Sequence, residues 1–129
     1  MSTFKSFTEI EAWQKARDLN KNVYEITSDP IFQKDFEFRK QIRSANLSVI
    51  SNIAEGFERS ENAEFLQFLY IAKGSAGEIL SLLYVAIDLG YISQSSFDSL
   101  STSVKEFSNK IGGLIKHIKQ SNFKGSKYK

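Results

Sequence analysis

Cysteine is absent from this 129-residue chain, and histidine, proline and tryptophan each occur once. Without cysteine there are no disulfides, thiolate nucleophiles or cysteine-based zinc sites. The lone histidine, His117, is preceded at the third position by Leu114. That excludes the paired Glu-x-x-His signature by which helical bundles hold two metal ions. Phosphate-loop and dinucleotide fingerprints are missing. Gly74-Ser75-Ala76-Gly77 is not the Gly-x-Ser-x-Gly of a nucleophile elbow. The expectation is a protein with no catalytic residues, no metal and no cofactor, hence not an enzyme.

A single proline, Pro30, and seven glycines leave room for long helices. Strand alternation and internal repeats are absent. The length suits one domain, divided here into a bundle over 1–120 and a flexible basic tail over 121–129. Residues 1–11 hold no apolar core of signal-peptide length. The apolar stretch 65–89 is interrupted by Lys73, Glu78 and Asp88. No membrane partner and a cytoplasmic location are therefore expected.

Net charge is only +2, but it is unevenly spread. Residues 1–104 carry ten Lys and Arg against fourteen Asp and Glu; residues 105–129 carry seven Lys against one Glu. A mildly acidic body thus ends in a basic arm, which suggests an anionic partner such as RNA. The candidate contacts are Lys105, Lys110, Lys116, Lys119, Lys124 and Lys127, with Lys129 at the end of the chain. Lysines attract phosphates without reading bases.

Periodicity predicts an all-α, up-down-up-down four-helix bundle. Helix one is expected from Thr8, with Thr8 and Glu11 as a capping box, to Asp29-Pro30. Its seam is Ala12, Ala16, Leu19, Val23 and Ile26. Helix two spans about 36–57, with Phe38, Ile42, Ala45, Val49 and Asn52 inward and Gly56 as its cap. Helix three spans about 63–89 and carries two seams. The first is Phe65, Leu69, Ala72, Ala76, Ile79, Leu83 and Ala86. The second is Phe68, Ile71, Ser75, Glu78, Leu82, Val85 and Leu89. A lone bundle buries one face of each helix, so the second seam requires another subunit. Phe68, Ile71, Leu82 and Val85 are its expected oligomer contacts. Gly90 is expected to close helix three and Ser93 to cap helix four. The fourth seam is Phe97, Leu100, Val104, Phe107, Ile111, Leu114 and Ile118.

Polar residues on or beside these seams form a second candidate site: Asn52 and Glu55 on helix two, Ser75 and Glu78 on helix three, with Arg39, Arg43 or Arg59 as cationic partners. One reading is a hydrogen-bonded network that fixes register and oligomer state. The alternative is a small-ligand or enzymatic site in which Asn52, Glu55 and Glu78 supply acid–base chemistry.

Ser48-Val49-Ile50-Ser51-Asn52-Ile53-Ala54-Glu55-Gly56 and Phe68-Leu69-Tyr70-Ile71-Ala72-Lys73-Gly74-Ser75, with Trp13, Ala16 and Gly90-Tyr91-Ile92-Ser93, also carry a resemblance. The chain resembles, over roughly 7–118, the four-helix-bundle family encoded in intervening sequences of bacterial large-subunit ribosomal RNA. That family is similar to the accessory variability proteins of diversity-generating retroelements. The resemblance implies a barrel-like homopentamer and, in the retroelement branch, a basic ring that engages RNA and a reverse transcriptase. The chain departs from the pattern at 29–37, which lacks a Gly-Leu entry into helix two, and in its acidic body.

Overall fold

A computed structural model describes residues 4–59 and 61–125, with side chains described as far as Ser121. It contains four helices: α1 (Glu11–Ile26), α2 (Phe36–Glu58), α3 (Asn62–Asp88) and α4 (Gln94–Gly125). Each packs on its neighbours in the chain and α4 closes back on α1, while the backbones of the diagonal pairs stay further apart. This is the up-down-up-down bundle that the periodicity predicts.

The first helix begins later than its sequence suggests. Ser6, not Thr8, takes the free amide: its Oγ accepts from Thr8 N at 3.1 Å and winds Phe7–Glu9 into a short 3-10 turn. Glu11 does not reach back either; it pairs with Lys110 of α4. At the other end α1 stops at Ile26, and the Thr27 hydroxyl donates to Val23 O at 2.6 Å. Pro30 then opens a 3-10 turn, Pro30–Gln33, capped by the Asp29 side chain.

Asp35 starts α2 by accepting from Phe38 N at 3.1 Å. The buried row of α2 is Phe38, Ile42, Ala45, Val49 and Ile53, with Asn46 and Gly56 beside it. Asn52 lies one position off this row and is half-buried, because the helix takes a four-residue step after Val49 where a three-residue step was expected. Gly56 is not a cap. It sits inside α2, and a Cβ there would stand 2.6 Å from the Cβ of Phe68. Glycine at this position is what lets α2 and α3 approach closely.

The first seam of α3 is buried throughout. Its end has the expected left-handed glycine: Gly90 has φ 73°, Gly90 N donates to Ile87 O, and Tyr91 N donates to Ala86 O at 2.8 Å. Ser93 Oγ accepts from Ser96 N to start α4, as expected. In α4 the buried residues include Leu100, Val104, Phe107, Ile111, Ile115 and Ile118; Leu114 and Phe97 are only half-buried. The backbone stays helical to Gly125, past the boundary expected at Gln120, since no proline or glycine intervenes after Gly113. The remainder of the expected tail, 126–129, lies outside the described residues.

By length and composition α3 is the one described helix capable of crossing a membrane. Here its first seam fills the bundle core, and the half-buried Lys73 donates to Ser108 Oγ of α4 at 2.9 Å. Each large apolar side chain buried in this way contributes about 1.5–3 kcal/mol.

Candidate functional site

The structure divides the polar cluster expected between helices two and three. Ser48 Oγ and Ser75 Oγ lie 2.8 Å apart, and Asn52 Nδ2 donates to Ser48 O and Oγ at 2.8 and 3.0 Å. One turn group therefore joins Asn52 to Ser75 through Ser48. Glu78 is exposed and accepts from Gln41 at 3.0 Å. Glu55 is also exposed and pairs with Arg59 at 3.1 Å. Glu55 sits fourteen positions along α2 from the partner of Glu78, roughly 20 Å at helical rise. The two carboxylates do not share a site, so the acid–base alternative lacks its geometry.

Arg43 belongs elsewhere. It faces α1, donating Nε to Thr27 Oγ1 at 2.8 Å and Nη2 to Tyr24 O at 3.3 Å, with its guanidinium 4.2 Å from the Tyr24 ring centre. Its position follows from the α2 period: Arg39 and Arg43 lie on the edge toward α1, whereas Gln41, Ser48, Asn52 and Glu55 lie toward α3. The buried polar residues that sequence reasoning missed are Thr27, Ser101 and Asn46, the last with no exposed surface. Its Nδ2 donates to Ala16 O and Asn20 Oδ1, and its Oδ1 has no partner. A seam counted on apolar residues gives no sign of it.

Tyr91 closes the α3–α4 turn onto the start of α2. Its hydroxyl donates to Asp35 Oδ2 at 2.7 Å, and its ring meets Phe32 and Phe38 edge-on. The Asp35 hydrogen bond, then desolvation, then the Asp35 charge, hold the phenol above its ordinary pKa.

The outward side of α3 carries most of the exposed large apolar side chains among the described residues. Tyr70, Ile71, Tyr84, Val85 and Leu89 are 51, 52, 51, 40 and 53% exposed, five of the eight exposed large hydrophobic residues described. Gly74 and Gly77 lie between them, and a Cβ at either would meet only open space. Of the expected oligomer contacts, Ile71 and Val85 are exposed on this face. Phe68 and Leu82 are half-buried, Phe68 beneath Arg59 at 5.1 Å and Leu82 packed on the core.

The basic arm is likewise divided. Lys105, Lys116 and Lys119 are exposed and share one strip of α4 by spacing. Lys110 lies on the opposite edge and pairs with Glu11 at 3.1 Å. Lys124 lies on the helical backbone, and Lys127 lies outside the described residues. A cleft of about 800 Å³ between α1 and α4 is lined by Glu11, Lys15, Glu106, Lys110 and His117, among others. Among the described residues no group of three acidic or histidine side chains converges as a metal site would require.

The model of one family, the 23S rRNA-intervening sequence proteins, matches residues 8–113. Among solved structures the chain is similar to a protein of unknown function from the S23 ribosomal protein family of Bacteroides thetaiotaomicron. The two share 24% sequence identity with a TM-score of 0.76, over 81% of this chain and 95% of that one. That likeness concerns the fold. No curated protein matches the chain.

Proposed function

Because the chain belongs to the 23S rRNA-intervening sequence protein family, we propose that it acts without catalysing a reaction, as a closed homo-oligomer of helical bundles that associates with RNA. The observation that carries this reading is the outward face of α3. Exposed Tyr70 and Ile71 at one end and Tyr84, Val85 and Leu89 at the other, with two open glycines between them, are more exposed apolar side chains than any other helix carries among the described residues, and such clusters mark interaction sites. Closed cyclic symmetry would cover the face identically in every subunit. Five subunits is the number that the resemblance to ring-forming relatives favours. The oligomer would also gather several copies of the basic arm, so weak phosphate contacts would add.

Size-exclusion chromatography with light scattering tests the interface. The double substitution Ile71→Lys and Val85→Lys places two charges on exposed positions, so it should give a monomer with unchanged helical circular dichroism. A wild-type chain that elutes as a monomer would overturn the proposal. The RNA part is tested by filter binding across a salt series, where the log–log slope should be roughly 0.7 per phosphate neutralised. Removing residues 121–129 should weaken binding without changing the fold. Equal affinity of both forms would show that the tail makes no contact.

A further inference from the structure

The edge between α1 and α2 has a composition that neither the oligomer face nor the basic arm accounts for. Three arginines there each lie over an aromatic ring: Arg17 over Trp13 at 5.5 Å, Arg43 over Tyr24 at 4.2 Å, and Arg39 over Phe36 at 5.4 Å. Among the described residues none of the three takes part in an ion pair; the pairs formed are Arg59 with Glu55 and Glu64, and Lys110 with Glu11. Arg43 has internal hydrogen bonds, whereas Arg17 and Arg39 have only their rings.

The antiparallel register puts these groups in line. Asn46 of α2 meets Ala16 and Asn20 of α1, and Arg43 meets Tyr24 and Thr27. Trp13, Arg17 and Tyr24 recur on α1 at spacings that keep them on the α2-facing edge. Arg39 and Arg43 face α1 in return. Along the edge the order is Arg17, Arg43, Arg39, with steps of roughly 10 and 6 Å at helical rise. Exposed Lys21 and Lys40 flank the line, and Phe36 is 55% exposed.

The acids of the same helices are directed elsewhere. Glu11, Asp18 and Glu25 recur every seven residues on the other edge of α1, where Glu11 meets Lys110 and Glu25 borders Ser96 and Ser99 of α4. On α2, Glu37 and Glu55 fall on the α3-facing side, and the exposed Glu58 lies at the far end of the helix, about five turns beyond Lys40. A net charge near zero for both helices therefore conceals one cationic edge.

A guanidinium stacked on a ring is preorganised. At Arg17 and Arg39, which donate no hydrogen bond inside the protein, the N–H groups are left for a ligand, whereas those of Arg43 hold Thr27 and Tyr24 and fix the middle of the row. A row of such groups matches a ligand with alternating anionic and planar aromatic parts. We propose that the α1–α2 edge binds single-stranded RNA, with the guanidinium edges on phosphates and their open faces beneath bases. This inference rests on the proposed association with RNA but assigns it to a different surface from the lysine arm. An acidic peptide would satisfy the charges yet leave the stacking faces unused.

The test is fluorescence anisotropy of the full chain with a short labelled oligouridine and with an abasic strand of equal charge. The variants are Arg17→Ala/Arg39→Ala and Arg17→Lys/Arg39→Lys; neither arginine donates a hydrogen bond inside the protein, so the fold should survive, as circular dichroism would verify. Wild type should prefer the base-bearing strand by about tenfold, the cost of losing one good stack. The alanine pair should lose that preference, and the lysine pair should lose it while keeping most affinity for the abasic strand. An unchanged preference in the alanine pair, with binding lost instead on removing residues 121–129, would overturn this inference and leave the proposed function standing. No binding of either strand by wild type would overturn both. Polyglutamate displacing wild type as well as oligouridine does would reassign the edge to an acidic protein and also overturn the inference.

Discussion

At the residue scale, Tyr91 and Gly56 connect sequence to stability most directly. The Tyr91 hydroxyl bonds the Asp35 carboxylate that also caps α2, and its pKa is raised from 10.0. A folded value above the unfolded one means that the bond's contribution is complete below the unfolded pKa and is lost as pH rises through the folded value. Thermal melts should therefore show a stability loss beginning near pH 10.0 in the wild type and a flatter alkaline limb in Tyr91→Phe. Identical alkaline limbs would contradict the linkage. Gly56 gives a sterically simpler case. Its Cβ would meet Phe68 Cβ at 2.6 Å and Phe65 Cδ1 at 3.0 Å, so Gly56→Ala should cost about 1–3 kcal/mol in urea unfolding. Asn46 shows why residue detail was only partly legible: its burial depends on Ala16 and Asn20, thirty and twenty-six positions away. Arg43 was seen as a cation in need of a partner, but periodicity does not say which neighbouring helix supplies it.

At the element scale, the number, order and type of the helices were legible because each keeps a three-four alternation over many turns. The errors fall where adjacent positions both satisfy that alternation. Asn52 was preferred over Ile53, and Leu114 over Ile115, and in each case the helix buries the residue one step further on. The start of α1 was misplaced because Ser6 and Thr8 are both competent caps and only the local turn decides between them. Helix α3 supplies a prediction of its own. Gly74 and Gly77 meet nothing within 4 Å, so within a single chain alanine should raise stability by about 1 kcal/mol at each. If the glycines allow a second subunit to approach, Gly74→Ala/Gly77→Ala should also shift the size distribution toward monomer. A variant that is more stable and equally assembled would show that the glycines have no role in contact.

At the scale of the whole molecule, what counts is surface arrangement. The second seam of α3 was read as an excess of apolar residues over what one bundle buries; within the chain Phe68, Ser75 and Leu82 of that seam are half-buried, and Ile71, Val85 and Leu89 remain exposed. The cationic α1–α2 edge was not legible, because charges counted along the chain cancel while charges sorted by helix edge do not. The two surfaces lie on different sides of the bundle: one on α3 alone, the other between α1 and α2. Native mass spectrometry of the full-length chain at micromolar concentration is the most direct measurement of whether α3 closes a ring. The expected spectrum is a single closed species, five subunits by the resemblance, that persists on dilution and collapses to monomer in the Ile71→Lys/Val85→Lys variant. A wild-type spectrum of monomer alone would contradict it.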